Sequence, residues 1–251
     1  MINNKDQLAT RGHLHNYQDR TIVFLEQLHF ELDRLGTNIS VLDVGCGHGI
    51  ALETSPQFEI AKKVDRYLGV EPDTGVTPPN CFQRVWHSSL EDSNIPDASI
   101  DLAYSQMVLE HVTEPEPFLA KLSKVLKPGG VFVSLTVNGH STFARIAATC
   151  HNLGIQDIVL RIARGKQVVD DYHYPAVYKM CSEKFLNSQA PLYGFDKPDL
   201  GFFEADEWLA YFPTGTKWAG NIATRLFQRK VERYTWLLVK LTKQRDSQAM
   251  V

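Results

Sequence analysis

The chain has 251 residues, 43% hydrophobic and 22% charged, with a formal net charge of −3. That length suits one large α/β domain or two small ones, with a sizeable buried core, and the charge gives no global attraction to nucleic acid or to anionic membrane. No uncharged apolar run approaches the ~18 residues that span a bilayer. Met1 to Arg20 is polar without a signal-peptide core, and Cys46, Cys81, Cys150 and Cys181 lie far apart with no CxxC or Cys/His metal spacing, so a reduced cytoplasmic setting is expected.

Leu25, Leu28, Leu32 and Leu35 recur at helical spacing, and Gly36 is placed to end that helix. A strand over 39–44 then runs into Gly45-Cys46-Gly47-His48-Gly49. Residues 51–63 read as a helix whose bounds Pro56 leaves open. Residues 67–70 read as a second strand ending at Glu71-Pro72-Asp73, with a third over 81–86 and a fourth over 100–104. Residues 113–126 carry helix signals: a capping box of Thr113 and Glu116, prolines in the first turn, and an apolar face of Phe118, Leu119, Leu122, Val125 and Leu126. Lys127-Pro128-Gly129-Gly130 is a turn, and 131–137 a strongly apolar fifth strand.

Strands alternating with helices imply parallel βαβ units and a doubly wound sheet, whose ligands sit at the C-terminal strand ends. A glycine-rich turn between a first strand and its helix lets backbone approach a ligand closely. Here Gly49 follows Gly47 by two residues, not by the three of the dinucleotide fingerprint. Asp43, just before the glycines, is placed to meet a ligand's ammonium group. Glu71, at the end of the second strand, is placed to accept ribose hydroxyls.

VLDVGCGHG (41–49) resembles the first motif of class I S-adenosylmethionine (SAM)-dependent methyltransferases. The likeness continues through LGVEPD (68–73), IPDASIDLAYSQMVLEHV (95–112) and FLAKLSKVLKPGGVFVSLTVN (118–138), the last two resembling the quinone and natural-product subfamily. The resemblance implies a Rossmann-like sheet of seven strands, mostly parallel with the last antiparallel, and a helical insert after strand five. It implies one domain over 1–251: a SAM-binding core at 15–140, a variable substrate or lid insert at 140–195, and a C-terminal part at 196–251. Asp43, Gly45, Cys46, Gly47 and Gly49 would then hold the methionine end, and Glu71 and Pro72 would border the ribose. Ser89, Leu90 and Glu91 would flank the adenine, with Ser89 standing where the family commonly has Asp. Ser105 and Gln106 would lie near the sulfonium, Tyr17 would cover the cofactor, and His111 would stand on the cofactor side.

The acceptor would be a small molecule, a natural-product or sugar intermediate, methylated on O or N. An alcohol acceptor needs a proton acceptor within hydrogen-bond reach. His140, following strand five, and His173 with Tyr174 in the insert are the candidates. The Asn-Pro-Pro-Tyr of nucleic-acid base methyltransferases is absent. Ser105 stands where metal-dependent catechol-type enzymes carry aspartate, so a metal-free reaction is expected.

Residues 199–203 and 207–212 read as a closing hairpin, and 216–243 as a last helix with Phe227, Val231, Tyr234, Leu238 and Leu241 on one face. Lys/Arg at 217, 225, 229, 230, 233, 240, 243 and 245 face only Glu232 as acid. A basic amphipathic helix of this kind suits peripheral contact with a membrane surface, and so a quinone, lipid or lipid-linked saccharide as acceptor. A non-catalytic SAM-binding partner protein is the third reading.

Overall fold

The computed structural model describes residues 19–47, 49–141, 144–145, 176–204 and 233–245. Their frame is a single sheet of β1 (Ser40–Val44), β2 (Arg66–Val70), β3 (Arg84–Trp86), β4 (Ile100–Gln106), β5 (Leu126–Val137), β6 (Asp199–Phe203) and β7 (Trp236–Thr242). The strand order is β3-β2-β1-β4-β5-β7-β6. Neighbours from β3 to β5 pair in parallel, while β7 runs antiparallel to both β5 and β6. The order reverses at the β1–β4 junction, so the crevice at the C-terminal ends of these two strands is where the topology places a ligand.

Helices cover both faces, which is why every residue of β1 is buried. On one face, α1 (Arg20–Leu35) packs Val23, Phe24, Leu28 and Leu32 into a core shared with Val41, Tyr104 and Val133. Asp19 caps it by accepting the Thr21 N–H at 2.7 Å, and Gly36, with φ 88°, closes it. On the other face, α3 (Pro115–Val125) buries Phe118, Leu119, Leu122 and Val125 against Leu42, Ala103 and Phe132. A short α2 (Ser55–Ala61) follows β1, and α4 (Glu183–Gln189) precedes β6.

The fourth strand extends two residues further than its alternation suggests, and the third begins only at Arg84. The second helix starts at Ser55, because Ala51 and Leu52 take left-handed backbone (φ 54° and 66°) and Pro56 sits in the first turn, where its missing N–H costs nothing. The Thr113–Glu116 capping box does not form. Glu114 is the N-cap and makes no side-chain cap bond, and the Thr113 carbonyl accepts from Lys179 Nζ at 2.8 Å.

The expected last helix over 216–243 is corrected at its C-terminal end. Residues 236–242 are β7, which pairs with β6 from Asp199↔Lys240 to Phe203↔Trp236. Trp236, Leu237, Leu238 and Val239 are a continuous run, all buried, as a strand covered on both faces requires; the helical spacing of Tyr234, Leu238 and Leu241 was incidental. Phe227, Val231 and the 207–212 segment lie outside the described residues.

Two of the basic residues of that expected helix act inside the fold. Lys240 Nζ lies 2.8 Å from Glu31 Oε1, whose carboxylate also takes Arg34 and Gln27, and Lys243 Nζ donates to the Leu126 carbonyl at 2.9 Å. Glu31 is fully buried, so breaking its pair with Lys240 leaves a partly compensated charge in the core. Lys240→Met should lower unfolding free energy by about 3 kcal/mol, as read by urea denaturation.

Candidate active site

The glycine turn leaves β1 at the switch point with the amides of Gly45, Cys46 and Gly47 already committed. The N–H groups of Gly45 and Cys46 both donate to the Val70 carbonyl, at 2.8 and 3.1 Å. The Gly47 N–H donates to Glu71 Oε2 at 2.8 Å, and the Asp73 N–H to Glu71 Oε1 at 3.0 Å. Glu71's own N–H donates to the Trp86 carbonyl at 2.9 Å. One carboxylate thus ties the turn to the ends of β2 and β3.

Glycine is required at the turn by space as well as by dihedral. Gly45 has φ 77° and a Cβ there would stand 2.5 Å from Val108 Cγ2. Gly49 has φ 105° and a Cβ would stand 2.4 Å from the Glu53 carbonyl oxygen. Cys46 turns its buried thiol toward β2, so close that a Cβ on Gly69 would lie 2.7 Å from Sγ. Burial, with the Asp43 and Glu71 carboxylates nearby, pushes that thiol far up. Cys46 therefore lends the site its backbone only.

Asp43 is 3% exposed and lies beneath the turn. Its Oδ2 accepts from Gln57 Nε2 at 2.6 Å and from the Tyr104 hydroxyl at 2.7 Å, and Gln57 also holds the Cys46 carbonyl at 3.1 Å. Burial pushes the Asp43 carboxyl up to about 7, while the bonds from Tyr104 and Gln57 pull it back.

The two residues expected beside the sulfonium part company, as successive residues of a strand do. Gln106 Oε1 accepts the Ala51 N–H at 2.7 Å, which fastens β4 to the exit of the turn, and its buried Nε2 has no partner. Ser105 does not face the site: it is fully buried, with Oγ bonded to Ser134 Oγ of β5 at 2.7 Å.

The remaining candidates scatter. Pro72 is exposed beside Glu71. Ser89 Oγ bonds Asp92 Oδ2 at 2.9 Å and receives the Asp92 N–H, so it closes a local turn; Leu90 packs in the core, and Glu91 is half-buried. His111 ends a single 3₁₀ turn, Leu109–His111, half-buried. His140 is exposed just past β5, its N–H donating to Asn138 Oδ1 at 3.0 Å. Tyr17, His48, His173 and Tyr174 lie outside the described residues.

Sequence reasoning missed Gln57, Tyr67 and Tyr104 behind Asp43, and Glu110. Glu110 is buried, with Oε2 accepting from Thr136 at 2.7 Å and its carbonyl accepting the N–H groups of Val177 and Tyr178. It thereby pins the segment before α4 to the sheet's ligand edge. A tyrosine in each of two buried strands was the available signal for the first group.

A family profile described as a methyltransferase domain matches residues 14–197. The chain belongs to the class I SAM-dependent methyltransferases. A probable S-adenosylmethionine-dependent methyltransferase of Mycolicibacterium smegmatis is 32% identical over 103 residues, 39% of this chain and 38% of that protein. A ubiquinone biosynthesis O-methyltransferase of Bradyrhizobium sp. is 29% identical over 109 residues, 41% of each chain. These matches span about two fifths of the relatives' length. Among solved structures, the putative methyltransferase complexed with the Trm112 activator of Haloferax volcanii superposes with a TM-score of 0.57 at 15% identity, over 89% of this chain and 90% of that one. The [4+2]-cyclase SpnF superposes at 0.53 and 15% identity, over 94% and 85%. At such identity these two show the fold alone.

The residues present fit SAM. Each Glu71 oxygen, holding one backbone N–H, keeps a lone pair for a ribose hydroxyl. The unpartnered Gln106 Nε2 is a buried donor awaiting an acceptor at the same edge. Glu71→Ala should weaken SAM binding tenfold or more, on the order of 1.4 kcal/mol, in a titration; unchanged affinity would remove Glu71 from the site.

Proposed function

We propose that the protein transfers the methyl group of SAM to an oxygen or nitrogen of a small molecule. The observation that carries this reading is the Glu71 carboxylate, bonded to both Gly47 and Asp73 at the crevice where the strand order reverses. Bound SAM would supply a methyl group on a sulfonium, ready for in-line displacement. The protein's share is then proximity, alignment and the exclusion of water. Glu71 would hold the ribose, the backbone of the glycine turn and Asp43 the methionine end, and Gln106 would border the region between cofactor and acceptor.

Within small molecules, a hydroxylated quinone or other aromatic acceptor is favoured over a sugar. Two relatives support this: the ubiquinone biosynthesis O-methyltransferase above, and a 2-methyl-6-phytyl-1,4-hydroquinone methyltransferase of Synechocystis sp., 30% identical over 41% of this chain and 33% of that one. Lys240 and Lys243, two of the cations that suggested peripheral membrane contact, are engaged inside the fold. A fold does not specify its chemistry, so a non-catalytic SAM-binding protein is the competing reading that turnover must exclude.

His140 is the described candidate for taking an acceptor proton; His173 and Tyr174 are the others. Incubating the protein with methyl-labelled SAM and fractionated cell extract, then counting aqueous, organic-soluble and acid-precipitable pools, tests the proposal. Label is expected in the organic-soluble pool. Label only in precipitable material would overturn a small-molecule acceptor, and bound SAM with no label in any pool would favour the non-catalytic reading. Once an acceptor is in hand, turnover that survives His140→Ala strikes His140 from the catalytic residues.

A further inference from the structure

Polar groups run across three neighbouring strands behind the glycine turn. Asp43 on β1 and Tyr104 on β4 are register partners, and Tyr67 stands on β2, on the other side of β1. The Tyr104 hydroxyl donates to Asp43 Oδ2 at 2.7 Å, and the hydroxyls of Tyr104 and Tyr67 bond to one another. A tyrosine hydroxyl carries one proton. Since Tyr104 gives its proton to Asp43, Tyr67 must be the donor to Tyr104, and both bonds point toward the carboxylate. Aligned in this way, each bond polarises the next.

Both tyrosines are fully buried and their rings are held in place. Phe24 of α1 packs on Tyr104 with ring centroids 6.0 Å apart, and Phe82 on Tyr67 at 4.4 Å. A buried hydroxyl needs some partner, and Asp43 could be no more than that. Two features say otherwise. The carboxylate they serve lies under the ligand-binding turn, and its second donor, Gln57, also grips the Cys46 carbonyl of that turn. Both bonds fall on Oδ2, so Oδ1 takes no part in the network.

We propose that Tyr104, backed by Tyr67, is a positioning residue for the methionine end of SAM: it keeps the Asp43 carboxylate ionised and oriented, with Oδ1 turned to the cofactor's α-ammonium. This rests on the methyltransferase reading above. The groups around Asp43 are Tyr104 from β4, Tyr67 from β2 with Glu71 at that strand's end, Gln57 from α2 and Cys46 from the turn; Glu71 is the charged one, and it opposes ionisation. α1 contributes Phe24, its buried Glu31 being paired with Arg34 and Lys240. Burial sets Asp43 near 7 against the pull of Tyr104, so losing the hydroxyl sends the carboxyl higher. An ammonium needs the ionised form. SAM affinity is therefore lost as pH falls through the Asp43 value, and Tyr104→Phe moves that loss to higher pH.

The test is calorimetric titration of the full chain with SAM and with 5′-methylthioadenosine, which keeps the nucleoside but lacks the ammonium, between about pH 5.5 and about pH 8. The wild type should lose SAM affinity below about pH 7 while 5′-methylthioadenosine binding stays level. Tyr104→Phe should raise the midpoint by roughly one pH unit and weaken SAM severalfold at neutral pH, leaving 5′-methylthioadenosine untouched. Tyr67→Phe keeps the bond to Asp43 and should shift the midpoint the same way by less, which serves if the first variant does not fold. A midpoint unmoved in the folded variants, or an equal loss for both ligands, overturns the positioning role. A wild type that binds neither ligand removes the methyltransferase reading, and this inference with it.

Discussion

Everything at the ligand edge hangs on one carboxylate with two backbone hydrogen bonds. Glu71 holds Gly47 and Asp73, while its own amide is held by Trp86, so the glycine turn, the end of β2 and the end of β3 cannot move independently. A carboxylate bound this way is fixed before any ligand arrives. Little ordering remains to be done on binding, which is how preorganisation improves affinity without new contacts. Nor is there room for a larger residue at Gly45 or Gly49, where a Cβ would meet Val108 or the Glu53 carbonyl.

Behind that rigid edge lie buried polar groups of a kind cores usually avoid. Asp43, Glu31 and Glu110 are all nearly inaccessible, each held by hydrogen bonds or an ion pair. They divide by position. Glu31 joins α1 to β7, far along the sheet, and serves the fold. Asp43 and Glu110 stand at the C-terminal edge of the sheet, one beneath the glycine turn and the other holding the amides of Val177 and Tyr178. Burial raises both carboxyls and their neighbours oppose it: Tyr104 and Gln57 for Asp43, His111 and Thr136 for Glu110.

The first half of the fold was legible because its signals are local. The glycines at 45, 47 and 49 and the Leu spacing of α1 each demand one conformation, and the βαβ rhythm then leaves few topologies. Glu71 was legible for the same reason, standing at a strand end beside the turn. Lys127–Gly130, expected as a turn, instead lies within β5 (Leu126–Val137), where the register with β4 shifts. Ser105 was misplaced because being last in a strand does not say which face a side chain takes; alternation sends Gln106 to the turn and Ser105 to Ser134. Residues 236–242 misled because a buried strand and a buried helix share one apolar vocabulary, and only pairing with β5 and β6 separates them. The Tyr67–Tyr104–Asp43 alignment depends on register between strands remote in sequence, which no periodicity reports.

The place of β7 in the sheet bears on how the chain reaches this structure. β5 is buried over seven consecutive paired positions, Val131 to Val137, and its partner on that side is a segment about a hundred residues later. Until 236–242 arrives, that flank of β5 is an open, sticky edge, and β6 has no neighbour to join. Synthesis from the N-terminus therefore leaves the cofactor half able to assemble early while its hydrophobic border stays exposed. Closing that border is the late step of folding, and during it the chain is most prone to pair with another copy of itself.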